Sequence, residues 1–290
     1  MTLATPVDPD RLGVCSWSLR PTSDVDLTTR LEALGVGAVQ LALDPVLESP
    51  DEFGTAIPRL REAGIRIASG MLEAVGEDYS TLESIARTGG VRPDEHWPAT
   101  RARAERVAAL AGREDIPLVT MHAGFIPHDA ADPGRAVVLD RLRTIADLFA
   151  AAGVRLGLET GQESAATLIA ALEALDHPNV GVNFDPANMI LYGMGDPLEG
   201  LRILAPRVLQ VHIKDALPTE VPGTWGAEVP AGEGAVDWDG FLAAVDGLPG
   251  GIDLVIEREA GDARVADVLT ARELIRKRTD ARDASESGDA

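Results

Sequence analysis

Apolar runs of strand length recur along the chain, and most end in a polar side chain. They cover residues 12–17, 38–43, 65–71, 117–121, 154–158, 180–184, 209–213 and 252–256. Helical spacing fills the intervals and predicts helices over 24–34, 51–63, 99–111, 133–152, 164–175, 196–205, 238–245 and 262–278. Ser23 or Asp24 suits a helix cap, and Gly35 and Gly64 suit helix stops. Two long connections break the rhythm. Residues 72–97 contain a short helical pattern at 80–87, and 216–236 is rich in proline and glycine; connections of this length in compact domains are commonly functional or unstructured. Strict strand–helix alternation implies parallel strands with helical crossovers. Eight repeats favour a closed (β/α)8 TIM barrel over an open doubly wound sheet. No GxGxxG follows the first strand, which counts against a dinucleotide-binding fold.

In such barrels the chemistry sits at the C-terminal ends of the strands. Strands five to eight run into Glu159, Asp185, His212 and Glu257. Three carboxylates and one imidazole meeting at one end of a sheet make a hard donor set. It suits a divalent metal ion, with Mn2+ favoured and Mg2+, Co2+ or Zn2+ acceptable. Without a cation the carboxylates would repel one another and force at least one proton on. Taken singly, each reads first as a surface acid at a strand end or a satisfied histidine; four in four consecutive units are harder to read that way.

The residues around these positions carry a family likeness. Phe184-Asp185-Pro186-Ala187-Asn188, Val211-His212-Ile213-Lys214-Asp215, Gly232-Glu233-Gly234-Ala235-Val236-Asp237-Trp238 and Ile256-Glu257-Arg258-Glu259 resemble the sugar isomerase/epimerase family with the xylose-isomerase-like barrel. The likeness covers essentially residues 11–277. It implies a metal-dependent enzyme acting on a ketose, keto-sugar or related polyol, held by its carbonyl and a neighbouring hydroxyl. Glu159 and Glu257 would then exchange a proton on opposite faces of the carbon beside that carbonyl, giving epimerisation. Transfer between neighbouring carbons on one face would give isomerisation instead. A keto-inositol dehydratase or keto-glycoside lyase starts with the same proton removal and is the nearest rival. A non-catalytic sugar-binding or accessory subunit is the rival outside enzymes. The likeness also implies a homo-oligomer paired through outer helices.

Further candidates surround the predicted mouth. His122 ends strand four and can meet a sugar hydroxyl or sit as a rim histidine. Lys214 can polarise a substrate oxygen or pair with Asp185. Asn188 follows Asp185 in a proline-containing turn and suits a turn role or a sugar contact. Gln162 and Glu163 lie just beyond Glu159 and can bind hydroxyls or start a helix. Trp17 can wall a sugar ring or pack. Glu73, Tyr79, Trp97 and Trp225 are lid candidates. His96, His128 and His177 read as loop or surface residues, and Cys15 as an inert core thiol.

Composition narrows the partners. With 26 Lys+Arg against 47 Asp+Glu in 290 residues, the formal net charge is −21. That opposes nucleic acid and anionic membrane as partners, and together with five histidines it opposes the related barrel endonucleases that need several zinc ions. Few cations at the mouth, chiefly Lys214 and Arg258, favour a substrate without a phosphate. One cysteine excludes an internal disulfide and fits the cytoplasm. No basic start, long apolar leader or membrane-length apolar run is present. Residues 1–10 are expected to be a loose arm, 11–278 one catalytic domain, and 279–290 a disordered acidic tail.

Overall fold

Eight parallel strands close on themselves in the computed structural model of the chain, which describes residues 11–249 and 251–287. The strands of the barrel are β1 (Leu12–Cys15), β2 (Ala38–Ala42), β3 (Arg66–Met71), β4 (Leu118–Met121), β5 (Arg155–Glu159), β6 (Val180–Phe184), β7 (Val208–Ile213) and β10 (Asp253–Ile256). Two more, β8 (Asp215–Leu217) and β9 (Ala227–Val229), pair antiparallel outside it. Each barrel strand hydrogen-bonds to its neighbours in chain order, and β10 closes the ring against β1. The barrel expected from the alternation is therefore the fold. The expected arm lies outside the described residues.

Local chemistry explains most boundaries. Ser23 accepts the Asp26 amide and caps the helix Asp24–Leu34, which Gly35 stops in the left-handed conformation. Asp132, Ser164, Asp196 and Asp237 cap later helices in the same way. Three expectations change. The single helix expected at 51–63 is two pieces, Pro50–Phe53 and Ala56–Glu62, because the backbone turns at Gly54 and Thr55, and a further short helix, Leu43–Glu48, precedes Pro50, which can only start a helix. The first strand ends at Cys15, so Trp17 lies in a 3-10 turn, Ser16–Leu19, rather than in the strand. The last helix runs Arg264–Ser287, past Arg278, where composition suggested a disordered tail. Neither glycine nor proline interrupts the sequence before Gly288, so nothing stops helix propagation there.

The apolar core lies between the barrel and its helices and includes Val39, Leu60, Val107, Phe149, Leu168, Val211 and Leu254, each 0–2% exposed. The barrel interior is different. Gln40, Ser69, Thr120, Asn183, Gln210 and His212 are all fully buried there. Barrel interiors are more often filled by Val, Ile and Leu. Here amides and hydroxyls form a polar floor beneath the C-terminal mouth.

Candidate active site and metal centre

Strand register carries the polar endings together. Glu159 pairs with Asn183 across β5 and β6, and His212 with Val255 across β7 and β10. Glu257 follows the last strand and donates its amide to Ile213 O. As a result Glu159, Asp185, His212 and Glu257 each offer one ligand atom, all within 4.8 Å of one another and all buried.

Each side chain is held by a distinct device. Asp185 caps the helix Pro186–Leu191, its Oδ1 accepting the Asn188 amide at 2.9 Å. That leaves Oδ2, 3.4 Å from His212 Nδ1, free to face the centre. Glu159 accepts Asn183 Nδ2 on one oxygen at 3.1 Å and Asn188 Nδ2 on the other at 2.9 Å. Glu257 accepts the Trp17 indole at 2.8 Å on Oε1 and Lys214 Nζ at 2.8 Å on Oε2. His212 presents Nδ1 to Glu159, Asp185 and Glu257 at 3.6, 3.4 and 3.3 Å, and Nε2 to Gln40 Oε1 at 2.7 Å.

The electrostatics are those of a site short of positive charge. Burial, reinforced by the neighbouring Glu257 and Asp185, pushes the Glu159 carboxyl up to about 7 although His122 and His212 oppose it. Burial would also raise Glu257, but Lys214 and His212 outweigh it and hold that carboxyl well below the ordinary range. Burial disfavours the His212 cation, yet the charges of Glu159 and Glu257 and a hydrogen bond to Asp185 carry the imidazole well above its usual value. Three carboxylates thus crowd one ring nitrogen and a single ammonium. A divalent cation would remove that conflict, and a donor set of three carboxylates and one imidazole fits it.

The other expected residues fall as follows. His122 Nε2 lies 3.7 Å from Glu159 Oε1, and its buried Nδ1 has no protein partner. Lys214 is committed to Glu257 and to Glu259 at 2.7 Å, with Asp185 more distant at 3.8 Å, so its main partner is not the one expected from sequence. Asn188 combines the turn with a bridge, donating to Glu159 and accepting Lys214 Nζ at 3.3 Å. Gly161 (φ +140°) lets the chain pass close to it; a Cβ there would lie 2.6 Å from that of Asn188. Gln162 and Glu163 are buried, with Gln162 Oε1 and Glu163 Oε1 unpartnered. Gln162 Nε2 reaches Tyr192 Oη at 3.5 Å.

Of the lid candidates, Tyr79 packs edge-on to His122 with ring centres 6.1 Å apart, and Trp225 packs on Tyr192 at 4.8 Å. Trp97 is no lid. It starts the helix Trp97–Arg113, packs on the core, and lies under Arg141. Cys15 lies under the centre, its thiol 3.8 Å from His212 Nε2, and burial pushes its ionisation far up, so it stays protonated.

Sequence reading missed Gln40 and Asn183, because polar residues inside a strand carry no functional signal of their own. It also missed Glu228 on β9. That carboxylate accepts Arg258 Nη1 at 2.7 Å and the amides of Glu259 and Ala260 at 2.9 and 3.3 Å, fastening the β8–β9 hairpin to the segment after Glu257.

A family model described as the xylose isomerase-like TIM barrel matches residues 29–278. The chain belongs to that family. A solved xylose isomerase domain protein from Planctomyces limnophilus is 31% identical, superposes with a TM-score of 0.81, and shares 93% of this chain and 98% of that one. A solved L-ribulose 3-epimerase is 18% identical with a TM-score of 0.70 over 97% of this chain and 98% of that one, a likeness of fold. A curated relative, the 3-oxo-isoapionate decarboxylase of Pectobacterium atrosepticum, is 27% identical over 129 residues. That stretch covers 43% of this chain and 46% of the relative, so the chain spans about half the length of the curated protein it matches. Among the described residues no helix is long and apolar enough to cross a membrane.

Proposed function

We propose that this family member is a divalent-metal-dependent epimerase or isomerase of a non-phosphorylated ketose, keto-sugar or related polyol, serving carbohydrate metabolism in the cytoplasm. The observation that carries the reading is the buried convergence of Glu159, Asp185, His212 and Glu257 at the mouth of the barrel. These residues would hold the ion, with Mn2+ best suited and Mg2+, Co2+ or Zn2+ accommodated. When bound, the ion supplies Lewis-acid polarisation of the substrate carbonyl.

The protein's own groups do the rest. Glu159 takes the proton from the carbon beside the carbonyl, and Glu257 returns one on the other face. General acid–base participation of this kind is worth about 10²–10⁴-fold. Lys214 steadies the Glu257 carboxylate, and the N–H it now gives Asn188 Oδ1 at 3.3 Å is the one that would turn to a substrate oxygen. His122, Asn188 and Gln162 meet substrate hydroxyls, and the unpartnered His122 Nδ1 and Gln162 Oε1 support this assignment. Trp17, its indole fixed on Glu257, forms one wall. Phosphate is disfavoured because the nearby cations are spent internally: Lys214 on Glu257 and Glu259, Arg258 on Glu228 and Asp267.

A lyase outcome is the second reading, supported by the decarboxylase relative; it would use the same proton removal or electron sink at the same site. The test is a panel of ketoses, keto-sugars and keto-inositols incubated with enzyme and Mn2+ in D2O and followed by NMR. Epimerisation predicts deuterium at the inverted carbon, lost in Glu159→Gln and Glu257→Gln. Elimination or CO2 release without inversion would select the lyase. Metal binding without deuterium uptake in any member would favour a sugar-binding protein.

A further inference from the structure

Two of the metal-site residues are joined from below by three buried amides. Asn183 Nδ2 donates to Glu159 Oε2 at 3.1 Å, and Asn183 Oδ1 accepts Gln210 Nε2 at 3.1 Å. The same Gln210 nitrogen donates to Gln40 Oε1 at 3.0 Å, and Gln40 Oε1 lies 2.7 Å from His212 Nε2. Side bonds pin the chain: Ser69 Oγ donates to Gln210 Oε1 at 2.6 Å, and Gln40 Nε2 donates to Thr120 Oγ1 at 2.6 Å. All of these amides and hydroxyls are fully buried, so water offers them no alternative partner.

The direction of this chain is fixed by chemistry. A carboxylate only accepts hydrogen bonds, so Asn183 must turn its NH2 to Glu159. Its oxygen then faces Gln210, which must donate in turn. Gln210 therefore meets the oxygen of Gln40, and that oxygen is what faces His212. A carbonyl oxygen requires a hydrogen on Nε2. Asn183 Nδ2 also lies 3.0 Å from His212 Nε2, but its second hydrogen could be accepted there only by a bare Nε2, which would then face the Gln40 oxygen lone pair to lone pair at 2.7 Å. A proton on Nε2 leaves Nδ1, the nitrogen nearest the three carboxylates, with its lone pair available.

We propose that the Asn183–Gln210–Gln40 chain is a positioning device that transmits the polarity of Glu159 across the barrel and locks His212 as the Nε2–H tautomer with Nδ1 facing the cation site. Gln40, on β2 at the far side of the ring, is its terminal member. The inference rests on the reading of Glu159, Asp185, His212 and Glu257 as a cation site. It adds a role for residues that touch neither ion nor substrate. Outer partners of a metal-binding histidine commonly govern affinity by about 10–100-fold.

The test combines Mn2+ titration calorimetry with 15N NMR of histidine-labelled protein loaded with diamagnetic Mg2+. The His212 signals are assigned by their absence in His212→Asn. The wild type is expected to show a protonated Nε2 and an unprotonated Nδ1. Gln40→Met, which removes the acceptor, is expected to bind Mn2+ about 10–100-fold more weakly and to lose the single tautomer. Gln40→Glu keeps an oxygen facing Nε2 and is expected to restore both. Ser69→Ala, which removes the hydroxyl bonded to Gln210, is expected to leave the tautomer in place and controls for general loosening of the floor. A wild-type His212 protonated on Nδ1 would overturn the proposal without need of any variant. So would unchanged Mn2+ affinity in Gln40→Met. A wild type that binds no divalent ion would defeat the cation-site reading itself, and this inference with it.

Discussion

Two buried carboxylate settings stand almost side by side at the end of β7, and they are opposites. Asp215 is fully buried and accepts five N–H groups: the amides of Ala216, Gly232, Gly234 and Val236, and the indole of Trp238. The glycine-rich run from Gly232 wraps around it so closely that a Cβ at Gly234 would lie 2.0 Å from its Oδ1. Every lone pair there has a donor from the protein. Asp185, Glu159 and Glu257 are equally buried, but they face one another across one imidazole ring. Burial and charge alone therefore do not mark a functional centre. What distinguishes the second setting is a shortage of protein donors, which leaves room for a cation.

The contrast can be broken from either side. The largest effect is expected on turnover. Glu159→Gln should lower it about 10²–10⁴-fold, while the metal-free protein unfolds no earlier than wild type, since one repelling carboxylate has gone. Thermal melts with and without Mn2+ check this, and the stabilising increment from Mn2+ should shrink. Asp215→Ala should do the reverse. Five N–H donors lose their buried partner, so a loss of about 3–5 kcal/mol is expected in denaturant unfolding, with or without metal. An Asp215→Ala protein of wild-type stability would mean that the wrapped carboxylate is not structural.

Glu163 offers a third and smaller measure, because it is buried with no partner for Oε1 and no cation nearby. Burial alone pushes its carboxyl up to about 8. The unfolded chain releases that proton near pH ~4.5, so the folded state holds more protons between the two values. Its contribution is full below the unfolded value and declines as pH rises through about 8. Glu163→Gln should flatten that decline, stabilising the protein by on the order of 2–4 kcal/mol at pH ~8 and by nothing at pH ~4. Unfolding curves of both proteins across this range provide the check.

Much of this was legible in the sequence because one signal repeated. Apolar runs ending at Glu159, Asp185, His212 and Glu257 gave both the barrel and the residues brought together, since parallel strands in register bring their ends to one mouth. The polar floor was not legible. Gln40, Asn183 and Gln210 alternate with apolar residues inside their strands, as solvent-facing residues of a half-exposed strand would, and their inward direction appears only once the sheet closes. The β8–β9 hairpin was invisible for another reason. Its strands have three residues each and lie among prolines and glycines, and the hairpin is anchored by Asp215 and Glu228 rather than by an apolar face. The last helix outruns the expectation because a charged, small-residue composition reads as unstructured, whereas Ala, Arg and Glu propagate a helix that has already started.

On the proposed function, the four converging side chains hold a divalent ion and the wrapped Asp215 does not. Metal content and Mn2+ titration on wild type and on Asp185→Asn decide it most directly. The expected result is one divalent ion per chain in the wild type and binding at least about 10-fold weaker in the variant. Equal binding by the two proteins, or no ion in the wild type under saturating Mn2+, would contradict it.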